Sequence, residues 1–154
     1  MRYTESIRKA ANIAVKAHGS QMDKCGMPYI MHPIHLAEQM KTEDEIVVAL
    51  LHDVVEDTDV TLYDLVVAGF NEDVVEAIKL ITRDKSIPYS EYIDTLKTND
   101  LARRVKICDL LHNSNAERSK MIPGGIGIKL IERYNHALTV LQTYERGVKN
   151  GEKE

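Results

Sequence analysis

The chain has few of the features that would place it outside a reducing, aqueous setting. It holds two cysteines, Cys25 and Cys108, far apart and with no Cys-x-x-Cys spacing, so neither a disulfide framework nor a structural zinc site is expected. The opening residues Met1-Arg2-Tyr3-Thr4-Glu5 form no apolar leader, and no later apolar run approaches the roughly 20 residues needed to span a bilayer. A membrane partner is therefore not expected, and reduced thiols fit a cytoplasmic location. Excess positive charge is missing too: the formal net charge is -4, which argues against broad electrostatic binding to nucleic acid. Any phosphate-binding pocket must then rely on local lysines and arginines. No internal repeat, linker or low-complexity segment breaks the 154 residues, a length that suits one domain with a substantial core.

What is present is helical patterning almost throughout. Ile7, Ala10, Ala11, Ala14 and Ala17 give a first helix ending near Gly19, and Pro33 suits the first turn of a second running to about Met40. The stretch from Gln21 to Tyr29, with Gly26 and Pro28, reads as the loop between them. It would carry Lys24 to the mouth of a site and His32 to its floor. Glu45 to Asp57 reads as one helix. Thr61 and Asn71 suit helix caps, and Asn99 or Asp100 caps the helix holding Val105, Cys108, Asp109 and His112. Pro123, Gly124 and Gly125 interrupt the pattern before a last amphipathic helix with Leu130, Ile131, Tyr134, Leu138 and Leu141 inward. The expected architecture is an all-α bundle over residues 1–146, with a frayed tail over 147–154.

Four residues then stand out: His32 in Pro28-Tyr29-Ile30-Met31-His32-Pro33, the pair His52-Asp53 in Leu50-Leu51-His52-Asp53-Val54-Val55-Glu56-Asp57, and Asp109 in Val105-Lys106-Ile107-Cys108-Asp109. Two imidazoles and two carboxylates suit one divalent metal with positions left open for water and substrate. The carboxylates cancel the ion's charge and tilt preference toward hard ions such as Mn²⁺ or Mg²⁺. On a helix, Glu56 lies one turn past His52 and Asp57 one turn past Asp53. An apolar helix would not normally carry four ionisable groups in this stretch, because an unpaired buried charge is costly. A bound cation removes that objection. Taken alone, the same four residues also fit a solvated face running into Thr58 and Asp59.

These runs, together with Ala17-His18, Gly26 and Leu110-Leu111-His112-Asn113, resemble the HD-domain hydrolases of the RelA/SpoT group, and most nearly its small stand-alone members. The resemblance spans nearly the whole chain in the family's order. It implies a compact HD-domain bundle that binds one Mn²⁺ through His32, His52, Asp53 and Asp109 and removes the 3′-pyrophosphate of the alarmone (p)ppGpp. It further implies that Glu56 and Asp57 activate the attacking water and that Asn113 contacts the nucleotide, although Asn113 also suits a packing role. Lys24 and Lys106 are candidates for meeting phosphates, with solvated surface lysines as the alternative. His18 and His112 match family positions and suit either support of the ligands or polar packing; His35 and His136 read as surface residues. Tyr134 suits the core or the flank of a base.

The chain also departs from the family. Before Lys24, where the alarmone hydrolases have an arginine that stacks on guanine, stands Asp23; after Asp109 stands Leu110 in place of arginine; and Asn115-Ala116 replaces an Arg-Thr pair. A carboxylate at 23 cannot make the cation–π contact. The alternatives are a phosphatase acting on another nucleotide, such as NADPH or a nucleoside monophosphate, and a metal-bound nucleotide-binding module with little turnover. The Glu56-Asp57 pair counts against the last, because a binder needs no base.

Overall fold

The protein is seen here as a computed structural model that describes residues 3–151. Among the described residues there are ten helices and no strand, as the sequence pattern predicts. The axis of the fold is α3 (Glu43–Leu51), where Ile46, Val47, Val48, Ala49, Leu50 and Leu51 are all buried. Each of the Ile, Val and Leu side chains among them contributes roughly 1.5–3 kcal/mol of hydrophobic stabilisation. A helix apolar on every face needs partners all round. α1 (Glu5–His18), α2 (Met31–Glu38), α6 (Glu72–Ile81) and α8 (Asp100–Asn113) surround it.

The helix starts follow the capping logic of the sequence. Thr4, Thr42, Thr61, Asn71 and Asn99 each accept a backbone N–H from their own first turn, and Thr42 with Glu45 forms a full capping box. Asn99 rather than Asp100 is therefore the cap of α8. Thr61 opens α5 (Leu62–Val67), and α7 (Tyr89–Leu96) follows Pro88.

Three expectations are corrected. The segment from Glu45 to Asp57 is not one helix: α3 ends at Leu51, His52 and Asp53 form a turn, and the four-residue α4 (Val54–Asp57) follows. The cause is local. The His52 ring Nδ1 lies 2.7 Å from the Ala49 carbonyl oxygen, the acceptor that the Asp53 N–H would use in a continued helix. Second, Asn115 caps a short α9 (Ala116–Lys120) that the pattern did not announce. Third, the last helix, α10 (Ile128–Gly151), continues through the segment expected to fray from Gly147; residues 152–154 lie outside the described residues.

Buried charge ties the bundle together away from the candidate ligands. Arg103, 1% exposed, bonds Glu145 of α10 at 2.6 Å, Asp100 at 2.7 Å and the Lys97 carbonyl at 2.7 Å. Arg104 reaches the buried Glu45 of α3 at 2.8 Å. Removing one member of the Arg103–Glu145 pair, whose side chains are 1% and 13% exposed, costs roughly 3–5 kcal/mol because the other is left uncompensated. No helix among the described residues is long and apolar enough to cross a membrane.

Candidate active site

Three elements deliver three buried side chains to one point. His32 comes from α2, His52 from the turn that ends α3, and Asp109 from α8; their ligand atoms all lie within 4.8 Å of one another. Asp53 joins them, with Oδ2 2.8 Å from His52 Nε2 and 3.9 Å from His32 Nε2. The turn at His52-Asp53 matters here, since side chains at adjacent positions of a regular helix diverge by about 100°.

Each ligand candidate is held from behind. With Nδ1 of His52 donating to Ala49, Nε2 is the ring atom turned toward the cluster; this buried nitrogen makes no aligned hydrogen bond, although Asp53 Oδ2 lies 2.8 Å away. His32 Nδ1 lies 2.6 Å from Nδ1 of His112. Burial pushes the His112 imidazole down to about 4, reinforced by His32, Arg118 and His35, so at neutral pH it is an acceptor. His32 Nδ1–H then donates to it, and Nε2 of His32 faces the cluster. Asp109 Oδ1 accepts from Asn113 Nδ2 at 2.7 Å and its Oδ2 from Lys106 Nζ at 2.8 Å. Tyr29 donates its hydroxyl to Asp53 Oδ2 in a very short hydrogen bond.

The electrostatics call for a cation. Burial would depress His52, yet Asp53 and Asp109 raise it to about 9. The same carboxylates accumulate negative charge beside Glu56 and Asp57. Glu56 is pushed up first by burial, against a 2.7 Å hydrogen bond from the Arg83 N–H to Oε1, and further by Asp53 and Asp57. Asp57 is raised by burial and by Asp53. Carboxylates pushed upward by crowding are the better proton acceptors. A buried imidazole nitrogen with no aligned hydrogen bond, a second imidazole and clustered carboxylates make a donor set that fits a divalent ion.

Two cavities meet at this point. The catalytic cavity, about 200 Å³, is lined by His52, Asp53, Glu56, Asp57, Lys106 and Asp109, with Arg83, Tyr89, Tyr92 and Arg133 completing its wall. A side cavity of about 340 Å³ is lined by Met22, Asp23, Lys24, Arg118, Ile122, Ile126 and Leu130. Tyr29, Asn113 and Tyr134 line both.

The sequence candidates divide accordingly. His32, His52, Asp53, Asp109, Glu56 and Asp57 converge. Lys106 is engaged by Asp109, and Asn113 supports the same carboxylate while its Oδ1 accepts from Arg118 at 2.8 Å. Lys24 lines the side cavity and not the catalytic one. His35 and His136 are exposed, and His18 is buried against Gln21 at 2.9 Å. Sequence reasoning missed Tyr29, Arg83, Tyr89, Arg118 and Arg133. Only Tyr29 carried a signal, by sitting three residues before His32.

The residues of α1 through α8 that build this centre coincide with a recognised family: residues 10–110 match the HD domain. The chain belongs to the HD-domain family. A divalent-metal site at His32, His52 and Asp109 accords with that membership. Among its relatives is guanosine-3′,5′-bis(diphosphate) 3′-pyrophosphohydrolase MESH1 of Danio rerio, 32% identical over 144 residues that cover 85% of this chain and 79% of that protein. MESH1 of Homo sapiens is 34% identical over 139 residues, covering 82% and 76%. A guanosine-3′,5′-bis(diphosphate) 3′-pyrophosphohydrolase of Aquifex aeolicus is 38% identical over 91 residues, 56% of this chain but 13% of that longer protein. A solved structure of a metazoan ortholog of SpoT, described as hydrolysing ppGpp, superposes with TM-score 0.75 at 24% identity, covering 96% of this chain and 89% of the other. That superposition establishes the HD-type helical fold.

Proposed function

We propose that this HD-domain protein is a nucleotide phosphohydrolase that removes the 3′-pyrophosphate of (p)ppGpp. The observation that carries the reading is the convergence of His32, His52 and Asp109 within 4.8 Å, with His52 and Asp109 lining a cavity whose wall also presents Glu56 and Asp57. The names of the MESH1 relatives, matched over most of both chains, supply the substrate.

In this reading His32, His52, Asp53 and Asp109 hold one divalent ion, Mn²⁺ by preference. When bound, such an ion acidifies water and offsets the charge of the phosphoryl oxygens. Glu56 and Asp57 orient the attacking water and take its proton. The water oxygen bonds to the phosphorus attached to the 3′ oxygen, that P–O bond breaks, pyrophosphate leaves, and the 3′ oxygen regains a proton. Asn113 and Lys106 keep the Asp109 carboxylate aligned, and Lys24 meets the nucleotide from the side cavity. Cytoplasmic nucleotide pools are the natural source of such a substrate.

Asp23 supports a second reading, in which the same chemistry serves another nucleotide such as NADPH or a nucleoside monophosphate. Its carboxylate stands in the side cavity, bound to Arg118 at 3.0 Å, where the resemblance expects a cation of the loop itself. Incubating the purified protein with Mn²⁺ and a panel of nucleotides, with products resolved by anion exchange, tests both. Conversion of ppGpp to GDP and pyrophosphate as the fastest reaction is expected. Turnover of another nucleotide with ppGpp left intact would transfer the assignment to that substrate, and binding without any turnover would reduce the protein to a binding module.

A further inference from the structure

The wall of the catalytic cavity that the metal chemistry leaves unexplained is built by Arg83, Tyr89 and Arg133. They come from the connection between α6 and α7, the start of α7, and α10, a different part of the chain from the ligand candidates. The guanidinium carbons of Arg83 and Arg133 lie over the Tyr89 ring, 5.0 and 4.5 Å from its centroid. Two cations gathered on one aromatic ring repel each other, a cost that stacking on the ring offsets only in part. Two buried donors beside them have no partner: Nε of Arg83 and the hydroxyl of Tyr89. Leaving a buried donor unsatisfied is costly, and both belong to residues that line the same cavity.

The charge balance of that wall points the same way. Its carboxylates are Asp53, Glu56, Asp57 and Asp109, and its cations are Arg83, Lys106 and Arg133. With a divalent ion in place the wall becomes net positive. Without the two arginines it would stay net negative and repel a phosphorylated substrate. Lys106 does not change this, since its charge is already committed to Asp109 at 2.8 Å.

We propose that Arg83, Tyr89 and Arg133 form a clasp for a second phosphoryl group, joined through one bridging oxygen to the phosphorus attacked at the metal, so that the site selects pyrophosphoryl esters over monophosphate esters. The clasp rests on the hydrolase reading for its place beside the attacked phosphorus, and it decides whether the group transferred to water is pyrophosphoryl or phosphoryl. Planar guanidiniums bind phosphate oxygens through paired N–H groups. The phenol adds a third donor, and burial raises its pKa, so it stays protonated.

The test uses two probes, inorganic pyrophosphate and inorganic phosphate, titrated calorimetrically into the full chain with Mn²⁺ buffered so that pyrophosphate does not strip the site. Wild type should bind pyrophosphate at least tenfold more tightly than phosphate. Arg83→Gln and Arg133→Gln should each erase most of that advantage while leaving phosphate affinity within about threefold, and Tyr89→Phe should reduce it less. Elemental analysis and circular dichroism of each variant confirm retained metal and fold, and Arg133→Gln, on an exposed position, keeps the test open if Arg83→Gln misfolds. An unchanged pyrophosphate advantage in Arg133→Gln, or none in wild type, overturns the clasp. Kinetics separate this outcome from failure of the hydrolase reading. Arginine-dependent pyrophosphate preference without turnover of any nucleotide would sustain the clasp and sink the reading. Undiminished ppGpp hydrolysis in both arginine variants would do the reverse.

Discussion

The catalytic cavity and the side cavity share Tyr29, Asn113 and Tyr134, yet they are built on different terms. The first draws its chemistry from the turn after α3, from α4 and from α8, with His32 of α2 joining the ligand set, and these elements pack on the buried core. The second is walled by the loop before α2, by the five-residue α9, and by the start of α10. Ligand geometry tolerates little displacement, so it sits on rigid elements; recognition of the rest of the substrate sits where segments can vary. Arg118 joins the two. It bonds Asp23 at 3.0 Å and Asn113 at 2.8 Å, and Asn113 in turn bonds Asp109 at 2.7 Å. One chain of hydrogen bonds therefore runs from the recognition loop to a candidate metal ligand.

The largest test of that division lies in the rigid half. His52→Ala or Asp109→Ala should reduce metal content from one ion per chain to near zero and take hydrolysis to background. Wild type saturated with metal should melt higher than chelated protein, by a stabilisation of about 4 kcal/mol when free metal is a thousandfold above its Kd. Two ions per chain by elemental analysis, or full activity in chelator, would break this account of the centre.

Glu56→Gln separates chemistry from metal holding within the same cavity. Metal occupancy should stay near one while kcat falls roughly 10²–10⁴-fold, the usual range for a general base. Loss of the ion instead would make Glu56 a ligand.

Asp23→Arg moves the test to the side cavity, and there the structure reverses the expectation from the resemblance. An arginine at 23 would match the family, but Asp23 is structurally committed. Its Oδ1 accepts the N–H groups of Cys25 and Met27 at 2.8 and 2.9 Å, and its Oδ2 binds Arg118. The substitution should therefore raise KM for the nucleotide about ten- to a hundredfold, as hydrogen bonds to charged groups are worth roughly 1.5–3 kcal/mol. Pairing it with Arg118→Asp should restore part of the loss. A lower KM in the single variant would show that the loop tolerates the family's arginine.

The two cavities also differed in how far the sequence disclosed them. Helix periodicity and caps such as Thr61, Asn71 and Asn99 marked the bundle, because each cap satisfies its own first turn and needs no distant partner. The ligand set was legible because His32, His52-Asp53 and Asp109 sit in distinctive local runs. Arg118 was not, since its partners Asp23 and Asn113 lie 95 and 5 residues away and meet it only after folding. Arg83, Tyr89 and Arg133 share that reason, being brought together by α6, α7 and α10. The break at His52 was hidden because the competing acceptor is a backbone carbonyl, invisible to residue patterns.

The smallest expected effect isolates the charge of Asp23 from its hydrogen bonds. Asp23→Asn keeps an oxygen for the Cys25 and Met27 N–H groups but turns an NH2 donor toward Arg118, so the charged bond to Arg118 is lost. Hydrogen bonds to charged groups are worth roughly 1.5–3 kcal/mol, and at this half-exposed loop the low end applies, so the loss should be about 1.5 kcal/mol, or roughly tenfold in KM. Burial raises the Asp23 carboxyl, but the Met27 N–H, Arg118 and the Cys25 N–H outweigh it and hold it below its ordinary 3.8. A carboxylate with a depressed folded-state pKa adds stability that is complete above the unfolded value and disappears as pH falls through the folded one. The difference in unfolding free energy between wild type and Asp23→Asn should thus be constant from pH 5 to 8 and shrink only below about 3.8. Denaturant titrations across that range measure it. A difference that already shrinks near neutral pH would mean that another group, and not this carboxylate, secures Arg118 between the two cavities.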